Sequence, residues 1–356
     1  MKAAIISLGS ESTKMIERAM NSYFDVVDLL DIRGIEVSVG AGAHGILYKG
    51  EPIEHYDCVF IRGSFKYATI QRAIASFLKG KCYMPYDPTA FTIVHDKLLT
   101  HLELEQHGIP MPKTYLTPTP KAAKSVLEQV NYPIIIKIPN GTQGKGVMFA
   151  DSFASANSVL DTLTTLKQPF LIQEYIETDG SDIRAFVVGK KVIACMQRKS
   201  HGSDKRSNLH AGGEAVSIVP DERIKKIAIK TAEVLHADVC GVDILESPKG
   251  PLVIEANLSP GLQGITEVTK IDVGHIIAEH IAQKTTRFLE EQKEGNSLHK
   301  LLQDEGIEEK QEASFITQLD FRGERVLLPK IVSKEFKEEE EYVVTFDSTG
   351  ATIKKE

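Results

Sequence analysis

The chain has no tryptophan, few aromatic residues of any kind, and only four cysteines in 356 residues. Cys58, Cys82, Cys195 and Cys240 are scattered without paired ligand spacing, which excludes a disulfide framework and a cysteine metal site and leaves buried thiols as the reading. No apolar run approaches the roughly 20 residues that a membrane span needs. The opening run to Leu8 is a first strand, too short for the core of a signal peptide, so cytoplasmic residence and no membrane partner are expected. A basic excess is also missing. With 42 Lys and Arg against 49 Asp and Glu, the net charge of −7 offers nucleic acid no general attraction.

Two familiar nucleotide signatures are absent too. The turn after the first strand, Gly9-Ser10-Glu11-Ser12-Thr13, lacks the GxGxxG spacing that seats a dinucleotide pyrophosphate. The glycine-rich Asn140-Gly141-Thr142-Gln143-Gly144-Lys145-Gly146 lacks the Walker spacing, and an apolar strand-like run follows it where a P-loop would need a helix. Its glycines still let backbone N–H groups close on an anion. Just before it, Tyr132 to Pro139 is a buried-strand run broken by Lys137. Since lysine is seldom buried without a partner, an anion such as phosphate is expected there.

A length of 356 residues implies two or three packed units. Residues 1–92 alternate strands (Ala3 to Leu8, Phe24 to Leu29, Cys58 to Ile61) with helices (Glu11 to Asn21, Thr69 to Leu78), which predicts a small doubly wound α/β domain. Arg62 follows the third strand, where such a domain opens into a cleft; it reads equally as a carboxylate anchor or as a surface ion pair. Residues 93–290 form the second unit. Residues 291–313 are an acidic linker or a solvated helix, and 314–356 a small β-rich module with strands at Phe315 to Asp320, Arg325 to Pro329 and Tyr342 to Asp347. A module this small is expected to pair with a second copy, making a homo-oligomer, or to dock on the body.

The densest chemistry lies at Gly241-Val242-Asp243-Ile244-Leu245 and Gly250-Pro251-Leu252-Val253-Ile254-Glu255-Ala256-Asn257, two apolar runs joined by a turn. As antiparallel strands they present Asp243 and Glu255 together, with Asn257 on the same face as Glu255. Three hard oxygen ligands suit magnesium that also holds nucleotide phosphates.

This hairpin resembles the metal end of the ATP-grasp ligases, within them the RimK-like α-L-glutamate ligases, and further matching segments run in that family's order. They are Asp96 to Thr114, the Lys137 strand with its glycine loop, Gln173-Glu174-Tyr175-Ile176, Asp182-Ile183-Arg184, and Arg206-Ser207-Asn208-Leu209-His210-Ala211-Gly212-Gly213. The resemblance covers about residues 1–290 and implies an ATP-grasp fold of mixed α/β (α+β) class. In that fold the N-terminal domain forms one wall of a substrate cleft. It also implies an ATP-dependent carboxylate-amine ligase that adds L-glutamate or another amino acid to a protein C-terminus or a small-molecule carboxylate through an acyl phosphate. The cofactors implied are ATP and Mg²⁺, with Mn²⁺ as an alternative metal.

By the same resemblance, Lys97, Lys137, Gly144, Gly146, Asp182, Arg206, Ser207 and Asn208 face the nucleotide. Gln173 to Ile176 read its adenine and ribose. Lys137, Arg184 and Arg206 act on the transferred phosphate, and Asp243, Glu255 and Asn257 hold metal. An ion pair across the strands is the alternative role for Asp182 and Arg184. Ala211 departs from the pattern, where close members often carry a basic residue. Two other functions remain open: a glutathione-synthetase-like or carrier-protein-directed ligase, and a nucleotide-gated regulator without ligase chemistry.

Overall fold

A computed structural model describes residues 1–40, 45–117, 119–138, 146–167, 169–199 and 214–304, together with the strands Asp320–Arg322, Arg325–Leu327, Tyr342–Phe346 and Ala351–Lys355. It divides into Met1–Glu294 and Gly295–Glu356. In the smaller unit the four strands form two antiparallel hairpins.

Among the described residues four sheets build the larger unit, three of them around the cleft. The first is parallel, with Lys2–Ser7 between Val26–Asp31 and Cys58–Ile61. Its central strand is buried from Ala3 to Ile6, which is why it reads as a continuous apolar run without alternation. The helix Glu11–Met20, capped by Ser10, follows the central strand directly. A meander of Ile35–Ser38, Gly45–Tyr48 and Glu51–Pro52 lies between the second and third parallel strands. The sequence reading had placed no strands there.

The second sheet is antiparallel and has four strands, in the order Thr114–Leu116, Leu171–Glu174, Ile134–Lys137, Val147–Ala150. It packs with the helices Pro120–Leu127 and Phe153–Thr165 around a core of its own that includes Leu127, Ile134, Ile136, Leu160 and Ile172. The third sheet has five strands, in the order Glu214–Ser217, Lys191–Lys199, Ser181–Val188, Val239–Ser247, Gly250–Asn257. Behind it lies the helix Glu222–Val234, which buries Ile224, Ile227, Ala228, Thr231 and Ala232, one stripe at helical spacing. The core of this sheet is continuous with that of the parallel sheet. Of the two readings of the acidic stretch, linker or solvated helix, its first part is helix, within Val273–Asp304.

Buried His101 and half-buried His95 give the fold a pH dependence. Burial pushes His95 and His101 down to about 4 from the usual 6.5, and neither ring nitrogen of His101 has a hydrogen-bond partner. Between pH 6.5 and 4 the unfolded chain therefore takes up protons that the folded chain refuses, so stability is full above this window and falls as pH drops through it. Urea denaturation at pH 6.5, 5.5 and 4.5 should show this loss. His101→Asn should flatten the slope by up to about 1.4 kcal/mol per pH unit.

Candidate active site

Two hairpins of the five-stranded sheet supply the acids and guanidiniums, and both depend on a bulge. Counting back from the Ser247–Gly250 end of the Val239–Ser247 hairpin would place Asp243 opposite Ile254. A register shift between Asp243 and Ile244 brings Glu255 there instead. In the neighbouring hairpin a shift between Phe186 and Val187 likewise brings Arg198, not Gln197, opposite Asp182. Arg184, on the Ser181–Val188 strand of that hairpin, lies opposite Asp243 where the two hairpins adjoin.

The side chains close into a linear cluster. Arg198 donates Nε and Nη2 to the two oxygens of Asp182 at 2.7 and 2.6 Å, and its Nη2 lies 3.1 Å from Asp243 Oδ2. Arg184 grips Asp243 from the other side, donating Nε to Oδ1 and Nη2 to Oδ2, the latter at 2.6 Å. Asp182, Arg198 and Asp243 are buried. The two guanidiniums more than offset the desolvation of Asp243 and hold its carboxyl below the usual range.

Glu255 behaves differently. Burial raises its carboxyl despite the nearby charges of Lys97, Arg184 and Lys137. Lys137 is pushed down to about 8 by burial, helped by Lys97 and opposed by Glu255 and Asp243. Lys97 is the first residue of the helix Lys97–Gln106, whose N-cap Asp96 accepts from the N–H groups of Leu98 and Leu99 at 2.8 and 3.1 Å.

Lys97, Lys137, Gln173, Glu174, Tyr175, Ile176, Asp182, Arg184, Asp243, Glu255 and Asn257 all line one cleft of about 1330 Å³. Gln173 is buried and donates to Thr114 Oγ1 at 2.7 Å, Glu174 accepts from the Lys113 N–H at 2.9 Å, and Tyr175 meets Phe149 edge-on at 5.3 Å. Gly146 is not among the lining residues, although its neighbour Val147 is. Its φ of +81° and the Ile138 side chain, which a Cβ would meet at 3.2 Å, both require glycine. Gly144, Arg206, Ser207 and Asn208 lie outside the described residues.

Among the described residues, seven cationic side chains line the cleft (Arg33, Arg62, Lys66, Lys97, Lys137, Arg184, Arg198) against four acidic ones (Glu174, Asp182, Asp243, Glu255). On a chain of net charge −7 this concentrates positive potential where polyphosphate or carboxylate would enter.

The sequence reading missed Arg198 as a site residue and missed His101 altogether. Arg198 had a signal, an arginine one hairpin away from Asp182, but its pairing follows only from the bulge.

Among the described residues no group of three or more His, Cys, Asp or Glu could by itself cage a metal ion. Two carboxylates and an amide suit magnesium, which keeps waters and substrate phosphates in its shell. The buried Nδ2 end of the Asn257 amide has no hydrogen-bond partner. Because the two ends of an amide exchange by a flip, oxygen can face the same position as a ligand.

A family model described as the RimK-like ATP-grasp domain matches residues 94–281. The chain belongs to the RimK-like ATP-grasp family. It is 37% identical over 293 residues to a probable alpha-L-glutamate ligase of Citrobacter koseri, and 38% identical over 293 residues to a ribosomal protein bS6–L-glutamate ligase of Salmonella schwarzengrund. Each alignment covers 80% of this chain and 97% of the relative. Among solved structures, the ATP-grasp ligase PsnB complexed with minimal precursor, Mg and ADP superposes with a TM-score of 0.62 at 16% identity, covering 80% of this chain and 98% of that one. A RimK domain ATP-grasp protein from Sphaerobacter thermophilus gives 0.60 at 17% identity, covering 79% and 99%. The expected fold class therefore holds, and the chain is an ATP-dependent ligase. Among the described residues no helix is long and apolar enough to cross a membrane.

The buried ion pairs yield a stability prediction. Arg198→Met leaves Asp182 without its bidentate partner and should cost about 3–5 kcal/mol in urea denaturation. Arg184→Met should cost less, because Asp243 keeps Arg198 and the Arg184 side chain is 16% exposed.

Proposed function

We propose that the chain is an α-L-glutamate ligase that joins the amine of L-glutamate to an acceptor carboxylate at the expense of ATP. The observation that carries this reading is the opposed pair Asp243 and Glu255, set in one cleft with Lys97 and Lys137. In the first step an acceptor carboxylate oxygen attacks the γ-phosphorus of ATP, the bond to the β-phosphate oxygen breaks, and ADP leaves an acyl phosphate. In the second, the amine attacks the acyl carbon, inorganic phosphate departs and the amine loses a proton. Lys97 and Lys137, both near Glu255, set positive charge where the transferred phosphoryl group is most negative. Asp243, Glu255 and Asn257 would hold magnesium, with manganese as an alternative, which when bound neutralises phosphate charge. Arg184 is then the side chain that must yield Asp243 and turn its guanidinium to phosphate.

No strong side-chain base is required. An α-amine with a pKa of roughly 8 already supplies free amine near neutral pH. A protein is the acceptor class we favour, because the Salmonella relative carries a ribosomal protein in its name. Mass spectrometry of cell extract incubated with the protein, ATP and isotopically labelled glutamate should reveal a product heavier by one or more glutamyl units. Incorporation of lysine or cysteine in place of glutamate would overturn the reading.

Glu255→Gln keeps size and hydrogen bonding but removes charge. It should cut turnover by several orders of magnitude, in keeping with the several kcal/mol expected of phosphate-bridging charge. The thermal midpoint without metal should hold or rise, since the variant no longer keeps a carboxylate out of water, the cause that raises Glu255. A variant that turns over near the normal rate, or one that unfolds, would remove Glu255 from the metal set.

The Gly295–Glu356 unit is assigned to assembly into a homo-oligomer. Isolated two-stranded hairpins are marginal alone, and this unit carries two of them. Chain termination after Glu294 should lower the mass measured by light scattering while sparing ATP-dependent ligation. A truncated protein that stays folded but loses ligation would contradict this assignment.

A further inference from the structure

Arg62 stands outside the matched ATP-grasp segment, at the end of the parallel strand Cys58–Ile61, and lines the cleft. It is 3% exposed and donates Nη2 to the Pro260 carbonyl at 2.9 Å, while its buried Nε and Nη1 have no hydrogen-bond partner. Its guanidinium rests on the Phe60 ring, 5.5 Å from the centroid, and among the described residues no carboxylate pairs with it. The sequence had left a surface ion pair open for this residue, and burial removes that option. A buried cation with one neutral acceptor is costly unless an anion completes it.

The surroundings show a built position. Gln71, fully buried, packs so closely behind Gly63 that a Cβ there would lie 2.4 Å from its Nε2. The Gly63 N–H is fixed on Ser259 Oγ at 2.9 Å. Ligands of open parallel sheets bind beyond the carboxyl ends of the strands, which is where Arg62 stands.

We propose that Arg62 is the binding residue for the α-carboxylate of the amino acid that supplies the amine. The inference rests on the ligase reading above. The phosphate-facing cations Lys97, Lys137 and Arg184 belong to the matched ATP-grasp segment, and the acceptor carboxylate must lie against the γ-phosphorus beside them. An anion on this separate wall is therefore the carboxylate that does not react, that of the amino acid. The Pro260 carbonyl that Arg62 holds is only three residues beyond Asn257, which places the subsite next to the reacting end, and an α-carboxylate is only two bonds from its amine. An incoming carboxylate offers two charged acceptors in exchange for the single Pro260 carbonyl. The guanidinium therefore swings off that carbonyl to pair bidentately.

The test is calorimetric titration of L-glutamate, L-glutamine and L-isoglutamine, the α-amide, into protein saturated with magnesium and AMPPNP. Wild type, Arg62→Met and Arg62→Lys are compared, with thermal midpoints and AMPPNP affinity as controls. The Met variant should bind glutamate and glutamine on the order of 100-fold more weakly. The Lys variant should recover part of that loss, and isoglutamine should bind weakly and equally to all three proteins. Glutamate binding unchanged in a folded Met variant overturns the subsite, as does a loss that follows the side-chain carboxylate instead. If Arg62→Met is unaffected while wild type ligates glutamate, only this inference fails. Wild type that hydrolyses ATP yet ligates no glutamate to any acceptor fails the ligase reading itself.

Discussion

A carboxylate taken out of water needs a partner charge, and the five-stranded sheet takes two of them, Asp182 and Asp243, into its interior. The register of its strands answers that demand. Arg198 lies across from Asp182 and also reaches Asp243, Arg184 lies across from Asp243, and the four side chains sum to zero charge. Attraction between opposite charges at contact distance is several kcal/mol at intermediate dielectric, enough to hold the pairs but not to make them a source of large net stability. Their consequence is positional. With Asp182 and Asp243 neutralised by their arginines, Glu255 is left to the lysines of two other elements, the helix beginning at Lys97 and the strand ending at Lys137. One carboxylate facing two ammoniums is an excess of positive charge, the condition under which a polyphosphate is held.

Most of this was legible in the sequence, for identifiable reasons. Lys137 announced itself as a charge inside an apolar strand, and the acids at 243 and 255 as carboxylates on paired apolar runs. The parallel strands were visible because burial on both faces makes them continuous apolar runs. What stayed hidden was register. Simple hairpin counting sets Asp243 against Ile254 and Asp182 against Gln197, and each functional pairing exists because one strand carries an extra residue. The outcome for Asp243 and Glu255 was read correctly although its cause was not visible. The meander from Ile35 to Pro52 escaped for a different reason: its strands span at most four residues, little longer than a turn. The burial of Arg62 was equally hidden, since what covers it comes from residues nearly 200 positions away.

The division of the cores bears on how the cleft works. The parallel sheet and the five-stranded sheet share one continuous core, and four hydrogen bonds stitch the loop after Asn257 to the N-terminal side. Tyr86 reaches the Leu258 carbonyl, the Gly63 N–H reaches Ser259, Arg62 reaches Pro260, and Ser12 accepts from the Leu262 N–H. The four-stranded sheet has a separate core of its own. Parting the first two sheets would expose shared apolar interior, at about 25 cal/mol for each Å² uncovered, whereas displacing the four-stranded lobe keeps its core intact. Any opening of the cleft would therefore fall to the lobe that carries Lys137, Gln173 and Glu174, with Asp243, Glu255 and Arg62 together on the shared core. A nucleotide bridging lobe and body would close the cleft by pairing Lys137 with its phosphates, while the second substrate would meet a backbone frame already held by these hydrogen bonds, on which only side chains turn. That arrangement orders the acceptor and amine sides relative to Asp243 and Glu255 without any cost of domain closure on that side.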